Sequence, residues 1–219
     1  MPTSSGLLPT EGTRSFNYSH IHHQEEPWRG DTLECCLLEH RPLDFALSDT
    51  VSGRTVALED FASSPALLVA FVCNHCPFVK HLLDEFVAFA RDFGPRGLAV
   101  VAISSNDVES YPDDAPAEMT RIATLKRFTF PYLYDESQQV AKAYQAICTP
   151  DFFLFDRNRR LVYRGQFDGS RPGNNIPVTG SDLRTAAEAL LRGKLVPPEQ
   201  TPSVGCSVKW KSGQEPDWL

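Results

Sequence analysis

Two different spacings of apolar residues follow one another in the middle of the chain. Residues 66–73 are apolar at every position, which is typical of a strand buried on both faces of a sheet. Directly after them, apolar residues recur three and four positions apart: Val79, Leu82, Leu83, Phe86, Val87 and Ala90. Gly94 and Pro95 end this second pattern. The sequence therefore predicts a central strand followed by an amphipathic helix that ends near Phe93.

The same two spacings predict the other elements of a layered fold. Strands are expected at residues 44–47, 54–58, 98–104 and 130–134, and a hairpin at 152–155 with 161–164. Helices are expected at residues 119–128, 137–147 and 181–191. Alternation of strands and helices, followed by a hairpin and a last helix, predicts an α/β sandwich with a mixed sheet.

The two ends of the chain lack this periodicity. Residues 1–40 are polar and contain a histidine cluster (His20, His22, His23) and the vicinal Cys35 and Cys36, to which we assign no specific role. The last residues are rich in proline. The sequence predicts three parts: an N-terminal extension (1–40), a folded domain (41–196), and a C-terminal tail that packs on the domain (197–219).

The composition of the chain argues against some classes of binding partner. Hydrophobic residues make up 42% of the 219 residues, which is enough for a substantial core. The formal net charge of -7 disfavours binding to nucleic acid, which is itself a polyanion. No apolar run approaches the length of about 20 residues that a membrane helix needs. The first residues also lack the basic start and apolar middle of a secretory signal, so we expect a cytoplasmic protein without membrane partners. Homo-oligomerisation remains open.

The chemistry of the chain is concentrated at the junction between the central strand and its helix. Cys73 and Cys76 form a CxxC motif there, among six cysteines in all. CxxC at such a junction is typical of a redox site, and the alternative is one half of a zinc site. Zinc would normally need a second pair of ligands at similar spacing, and the sequence has none. We therefore expect redox chemistry and no bound metal.

The start of the helix decides which sulfur is stabilised as a thiolate. A helix that begins early places Cys73 at its cap, whereas a helix that begins at Pro77 places Cys76 there. Either arrangement lowers a cysteine pKa from about 8.5, and the spacing alone does not separate them. His75 in its charged form, or Lys80, would stabilise the anion further. The alternative is that both side chains face solvent.

Several motifs resemble the thioredoxin superfamily, specifically the redoxin branch described as AhpC/TSA-like or peroxiredoxin-like. The resemblance rests on the CxxC segment that continues into Pro77-Phe78-Val79, on Thr149-Pro150 before a strand, and on the segment from Pro42 to Leu47. It implies a thioredoxin-like three-layer sandwich around a central mixed sheet. It also implies no cofactor.

The resemblance assigns roles to individual residues. Cys73, as a thiolate at the helix N-terminus, attacks the substrate, and Cys76 resolves the product. Pro150 is then a cis-proline that faces the active cysteine and borders the groove for an extended substrate. The candidate substrate-binding residues are Asn74, His75, Thr149 and Pro150.

This sequence departs from the peroxiredoxin motif, and the departures limit which activities the resemblance implies. Peroxiredoxins show P-x-x-x-T-x-x-C, and with Cys73 as the last residue Ala66 and Ala70 stand at the proline and threonine positions. With Cys76 instead, the positions are Val69 and Cys73. Neither alignment keeps the peroxide site. We therefore favour exchange with a protein or small-molecule disulfide, and the reductant is not identified.

Two other activities remain as alternatives. One is a thiol peroxidase, in which peroxide converts Cys73 into a sulfenic acid and Cys76 condenses with it. The other is a copper- or zinc-binding thioredoxin-like module that uses both cysteines and a histidine.

The tail contains a candidate third redox thiol, Cys206. If the tail folds back with Trp210 as a packing anchor, Cys206 would lie near the CxxC motif. The alternative is that Trp210 only holds the tail in place and Cys206 is inert. Cys148, two residues before Pro150, is interpreted as a small buried apolar residue.

Overall fold

A computed structural model describes residues 44–218. The N-terminal extension predicted for residues 1–40, with its histidine cluster and its cysteine pair, lies outside the described residues. The described strands are β1 (Ala46–Asp49), β2 (Thr55–Ala57), β3 (Ala66–Phe71), β4 (Leu98–Ser104), β5 (Tyr132–Tyr134), β6 (Cys148–Thr149), β7 (Asp151–Phe155), β8 (Leu161–Gly165) and β9 (Cys206–Ser207). The helices are α1 (Pro77–Phe93), α2 (Pro116–Lys126), α3 (Gln139–Ala143) and α4 (Ser181–Leu191).

Seven of the strands form one mixed sheet, in the order β2-β1-β5-β4-β3-β7-β8. The three central strands β5, β4 and β3 are parallel to one another, and β1 and β7 pair antiparallel on either side of them. The strands β6 and β9 form a separate antiparallel pair. The predicted α/β fold with a mixed sheet is confirmed.

Buried apolar residues cover both faces of the sheet. Alternate residues of β3 point to opposite sides, so that Leu68 and Leu67 belong to different clusters. On one face Phe86 of α1 packs among aromatic rings, with Leu183 of α4 in the same cluster. On the other face Tyr144, just after α3, packs on rings of the sheet. Helices on both sides of a central sheet give the three layers that were expected.

Some predicted boundaries differ from the structure for identifiable reasons. Helix α2 starts at Pro116, because proline is favoured in a first turn, and ends where Arg127 adopts a left-handed conformation. Helix α3 is much shorter than predicted, since Gln145 has a φ of 51° and leaves the helical region. The strand at residues 98–104 and the helix at residues 181–191 have the predicted bounds. Among residues 44–218, no helix has the length and apolar character that crossing a bilayer requires.

Candidate active site

The CxxC segment connects the end of β3 to the start of α1. Strand β3 ends at Phe71, and the amide of Val72 makes one more bond to Ile103 of β4. Helix α1 has Pro77 in its first turn and Cys76 as its N-cap. The expectation that Cys73 lies at the helix N-terminus is therefore wrong. The helix begins at Pro77, because proline is favoured at the first helical position.

Both cysteine sulfurs converge on Thr149. The Sγ of Cys73 lies 3.2 Å from the Oγ1 of Thr149, and the protonated thiol of Cys76 donates to its carbonyl oxygen at 3.1 Å. The bond between Thr149 and Pro150 is cis, in agreement with the expected cis-proline. Of the candidate residues, the structure thus brings Cys73, Cys76, Thr149 and Pro150 together, although Cys73 is only 1% and Cys76 0% exposed.

The surroundings of the two sulfurs favour a thiolate on Cys76 over one on Cys73. A hydrogen bond from Cys73 lowers the pKa of Cys76 to about 4, against the effect of burial. The thiol of Cys206 and the backbone amides of Val79 and Cys206 stabilise the same anion. The pKa of Cys73 is raised, first by its hydrogen bond to Cys76 and then by burial and the nearby charge of Asp114. Burial and the nearby carbonyl oxygen of Thr149 both oppose the charge on Cys76.

This arrangement predicts a thiolate at acidic pH. Because the pKa of Cys76 is below its ordinary value, the thiolate persists as the pH falls and is lost only near a pH of about 4. Ultraviolet thiolate absorbance of the fully reduced protein should therefore show one thiolate at about pH 6, where an ordinary thiol is protonated.

Two variants identify the sulfur that gives this absorbance. The Cys76→Ser variant should lose it, whereas the Cys148→Ser variant should keep it, because Cys148 is buried and its pKa is raised. If the absorbance of the unsubstituted protein vanishes already between about pH 9 and 8, the proposed charge distribution is wrong.

A buried carboxylate that the sequence analysis missed holds the CxxC loop. The Oδ1 of Asp114 accepts the backbone N–H groups of Asn74 at 2.7 Å and His75 at 3.0 Å. Its Oδ2 accepts the side-chain amide of Asn106 at 2.8 Å and lies 2.5 Å from the Nδ1 of His75. Asp114 is completely buried. Asp114 lies 38 residues beyond Cys76, at the end of a short 3-10 helix (Pro112–Asp114) that has no apolar periodicity, so the sequence gave no signal for it.

His75 and Lys80 occupy different surroundings. The His75 side chain is 19% exposed, is paired with Asp114, and is stacked on Tyr111 with the ring centroids 4.9 Å apart. It is therefore fixed beside the cysteines rather than free in solvent. Lys80 is exposed on the first turns of α1. Its role in stabilising a thiolate stays a prediction.

A small cavity leads to Cys73 between α1 and α2. Its volume is about 150 Å³, similar to that of cavities that accept benzene in other proteins. Most of its lining is apolar, including Val79, Leu83 and Phe128, and Lys80 and Lys126 also border it. Cys73 lines this cavity and Cys76 does not, so a small molecule would reach Cys73 first.

The possible metal ligands differ from those expected. Among the described residues, one group of three has its ligand atoms within 4.8 Å of one another, and it consists of Cys73, His75 and Asp114. Both oxygens of Asp114 already accept hydrogen bonds, so a metal would have to displace partners of the CxxC loop. The expected set of two cysteines and a histidine is not the set that the structure groups together.

The remaining cysteines of the folded part have distinct positions. Cys148 is buried, and its thiol faces the carbonyl oxygen of Pro150. Cys206 lies on β9, directly opposite Thr149, and packs against the core cluster that contains Cys73 and Cys76. Trp210 packs against the core face that contains Tyr144. The structure therefore brings Cys206 to the CxxC motif.

Comparison with known proteins places the same residues in a family context. A family model described as the AhpC/TSA family matches residues 39–164, more than half of the chain. No curated protein sequence matches the chain.

Two solved structures are similar in sequence as well as in fold. An uncharacterized conserved protein from Geobacillus kaustophilus is 53% identical, with a TM-score of 0.79, over 80% of this chain and 93% of its own. A hypothetical protein from Sinorhizobium meliloti is 52% identical, also with a TM-score of 0.79, over 80% of this chain and 96% of its own.

A third structure is similar in fold alone. Peroxidoxin BcpB from Mycobacterium tuberculosis is 19% identical, with a TM-score of 0.53, over 71% of this chain and 96% of its own.

Proposed function

This chain belongs to the AhpC/TSA family, and we propose that it is a thiol–disulfide oxidoreductase in which Cys73 and Cys76 form the dithiol–disulfide couple. Members of this family are thiol oxidoreductases and peroxidases. The observation that supports this couple is the convergence of both sulfurs on Thr149, with Cys76 at the N-cap position of α1. Two cysteine sulfurs that lie beside the same residue are able to react with a substrate disulfide and then to form a disulfide with each other.

Cys73 is the attacking sulfur in this proposal. It lines the cavity, whereas Cys76 has no exposed surface. As Cys73 attacks one sulfur of the substrate disulfide, its proton passes to the Cys76 thiolate to which it is hydrogen-bonded. A mixed disulfide between Cys73 and half of the substrate forms, and the other half leaves as a thiolate that takes up a proton from solvent.

Cys76 then resolves the mixed disulfide. The sulfur of Cys76 attacks the Sγ of Cys73, and the proton that Cys76 received passes to the half of the substrate that leaves. The bond between Cys73 and Cys76 forms, and the second half of the substrate leaves as a thiol. Two electrons have then passed from the protein to the substrate, together with one proton that came from Cys73 and one from solvent.

The cavity supports a small-molecule disulfide as the substrate class. A volume of about 150 Å³ accepts a group of benzene size, and the lining is mostly apolar. Lys80 and Lys126 would favour a substrate that also carries a negative charge. A polypeptide disulfide would need the groove beside Pro150, which β9 occupies.

A redox titration tests the couple. The Cys206→Ser variant, which removes the third thiol of the site, is equilibrated in thiol–disulfide buffers of graded potential, alkylated, and mapped by mass spectrometry. We expect one two-electron transition, in which a disulfide between Cys73 and Cys76 appears. The additional substitution Cys148→Ser should leave the transition where it is. Absence of this disulfide at every potential would refute the proposed function.

A second candidate function is thiol peroxidase activity. The hydroxyl of Thr149, 3.2 Å from Cys73, offers a hydrogen-bond donor beside that sulfur, although Ala66 and Ala70 replace the family's proline and threonine. Peroxide would oxidise Cys73 to a sulfenic acid, and Cys76 would condense with it and release water. Dimedone labelling of Cys73 after low concentrations of peroxide, together with rapid peroxide consumption, would favour this function over disulfide exchange.

Metal binding is the remaining alternative. Stoichiometric copper or zinc in protein purified under reducing conditions would favour it, because a dithiol redox couple needs no metal.

A further inference from the structure

The C-terminal tail lies where the resemblance places an extended substrate. Strand β9 pairs antiparallel with β6, with Thr149 opposite Cys206 and Cys148 opposite Ser207. Gly205 packs so closely that a Cβ atom there would lie 2.1 Å from the carbonyl oxygen of Thr149. This approach is possible only for a residue without a side chain. The tail therefore occupies the edge beside Pro150.

Hydrogen bonds hold the tail on both sides of Cys206. After it, the amide of Val208 bonds to the carbonyl oxygen of Ile147, and the amide of Lys209 donates to the side chain of Asn106 at 2.8 Å. Before it, the hydroxyl of Ser203 donates to the carbonyl oxygen of Gly165 at 2.7 Å. Val208 is buried as well. Cys206 is thus held in one position rather than carried on a free end.

That position brings a third sulfur to the buried pair. Cys206 lies opposite Thr149, whose carbonyl oxygen is 3.1 Å from the Sγ of Cys76. Cys206 also packs against the core cluster that contains Cys73 and Cys76. Cys76 has no exposed surface, whereas Cys206 is half-buried. Cys206 is therefore the sulfur of the site that a reductant too large for the cavity would meet first.

We propose that Cys206 is a third redox residue that accepts the disulfide from the CxxC pair, so that a thiol reductant reduces the resulting bond between Cys76 and Cys206 from the side of the tail. The proposal rests on the proposed function, because the disulfide between Cys73 and Cys76 is its starting point. It assigns to the tail a catalytic part in the same reaction cycle.

The transfer step is an exchange that needs no further oxidant or reductant. The sulfur of Cys206 attacks the Sγ of Cys76, the bond between Cys76 and Cys206 forms, and the bond between Cys73 and Cys76 breaks. Cys73 leaves and takes the proton that Cys206 gives up.

The step has a consequence for turnover. Cys73 becomes a free thiol beside the cavity while Cys76 and Cys206 remain joined by the disulfide. A second substrate molecule is then able to meet Cys73 before the first oxidising equivalent has left the protein. The buried pair need not be exposed to the reductant.

Disulfide mapping in the Cys73→Ser variant tests the proposal. Oxidation of the reduced variant with one equivalent of diamide, which accepts two electrons and two protons, should give a disulfide between Cys76 and Cys206. The matched control is Cys73→Ser with Cys206→Ser and Ser207→Cys, which moves the thiol by one residue to the other side of β9. Because successive side chains of a strand point to opposite sides, this control should give at least about tenfold less disulfide to Cys76.

A second pair of variants tests the placement of the tail. In the Cys73→Ser background, Gly205→Ala should displace β9 and lower the yield of the disulfide, whereas Gly169→Ala has open space for its methyl group and should not. If the Cys73→Ser variant forms no disulfide between Cys76 and Cys206, the proposal is overturned. The function itself fails only if the Cys206→Ser variant also forms no disulfide between Cys73 and Cys76.

Discussion

Replacing Cys73 with serine is expected to reduce the rate of small-molecule disulfide reduction by roughly 10³-fold or more, since a serine hydroxyl is not ionised at neutral pH and attacks sulfur poorly. The fold should be retained, because serine is smaller than cysteine and still reaches the hydroxyl of Thr149. The measurement is turnover of hydroxyethyl disulfide with dithiothreitol as the electron donor, after subtraction of the uncatalysed reaction.

The Cys76→Ser variant should fail at a different step. Cys73 should still attack, although more slowly because the Cys76 thiolate no longer accepts its proton. Nothing resolves the product, so a mixed disulfide should accumulate on Cys73 and be visible as a gain in mass. This outcome separates an attacking sulfur from a resolving one. If the mixed disulfide instead forms on Cys76 in the Cys73→Ser variant, the two roles are reversed.

Cys148 provides the matched control for both variants. It is a buried cysteine on β6, and its thiol faces the carbonyl oxygen of Pro150. Cys148→Ser should keep the rate to within about twofold, because no proposed step uses this sulfur. Full activity in the Cys73→Ser variant would contradict the assignment of Cys73.

The elements that the sequence predicted well are those whose apolar pattern is long and regular. Strand β4 and helix α4 have the predicted bounds. Helix α3 was predicted too long, because the left-handed conformation of Gln145 is decided by packing and not by the spacing of apolar residues. Strand β9 was not predicted, since two residues carry no period, and the pairing with β6 depends on a partner 57 residues away.

The sequence likewise predicted some residues of the candidate site and missed others. The CxxC motif and Thr149-Pro150 were found because a short motif at a strand-to-helix junction is a local signal. Asp114 was missed, since its contacts with Asn74 and His75 join segments about 40 residues apart. The spacing of apolar residues also did not show whether Cys73 or Cys76 is the N-cap of α1, because both arrangements place Pro77 in the first turn.

Replacing Asp114 with alanine is expected to lower the free energy of unfolding by about 3 kcal/mol, because each buried donor that loses its acceptor costs about 1–3 kcal/mol. The substitution removes the acceptor of two backbone N–H groups, of the side-chain amide of Asn106, and of the ring of His75. Relief from burying a carboxylate offsets only part of this loss. Urea unfolding of the reduced protein, with midpoint and slope compared, is the measurement.

The exposed neighbour Asp113 gives the control for this substitution. Only its backbone carbonyl contacts the CxxC loop, through the side-chain amide of Asn74, and alanine keeps that carbonyl. Asp113→Ala should therefore change the unfolding free energy by less than about 0.5 kcal/mol.

The Asp114→Asn variant separates support of the loop from the effect of charge. One side-chain oxygen is kept, so the loss of stability should be smaller than for alanine. Because the charge of Asp114 contributes to the raised pKa of Cys73, its removal should lower that pKa. If Asp114→Ala unfolds within about 0.5 kcal/mol of the unsubstituted protein, other contacts hold the CxxC loop in place. If Asp114→Asn, introduced into the Cys76→Ser variant, leaves the pKa of the Cys73 thiol unchanged, Asp114 acts on Cys73 through hydrogen bonds alone.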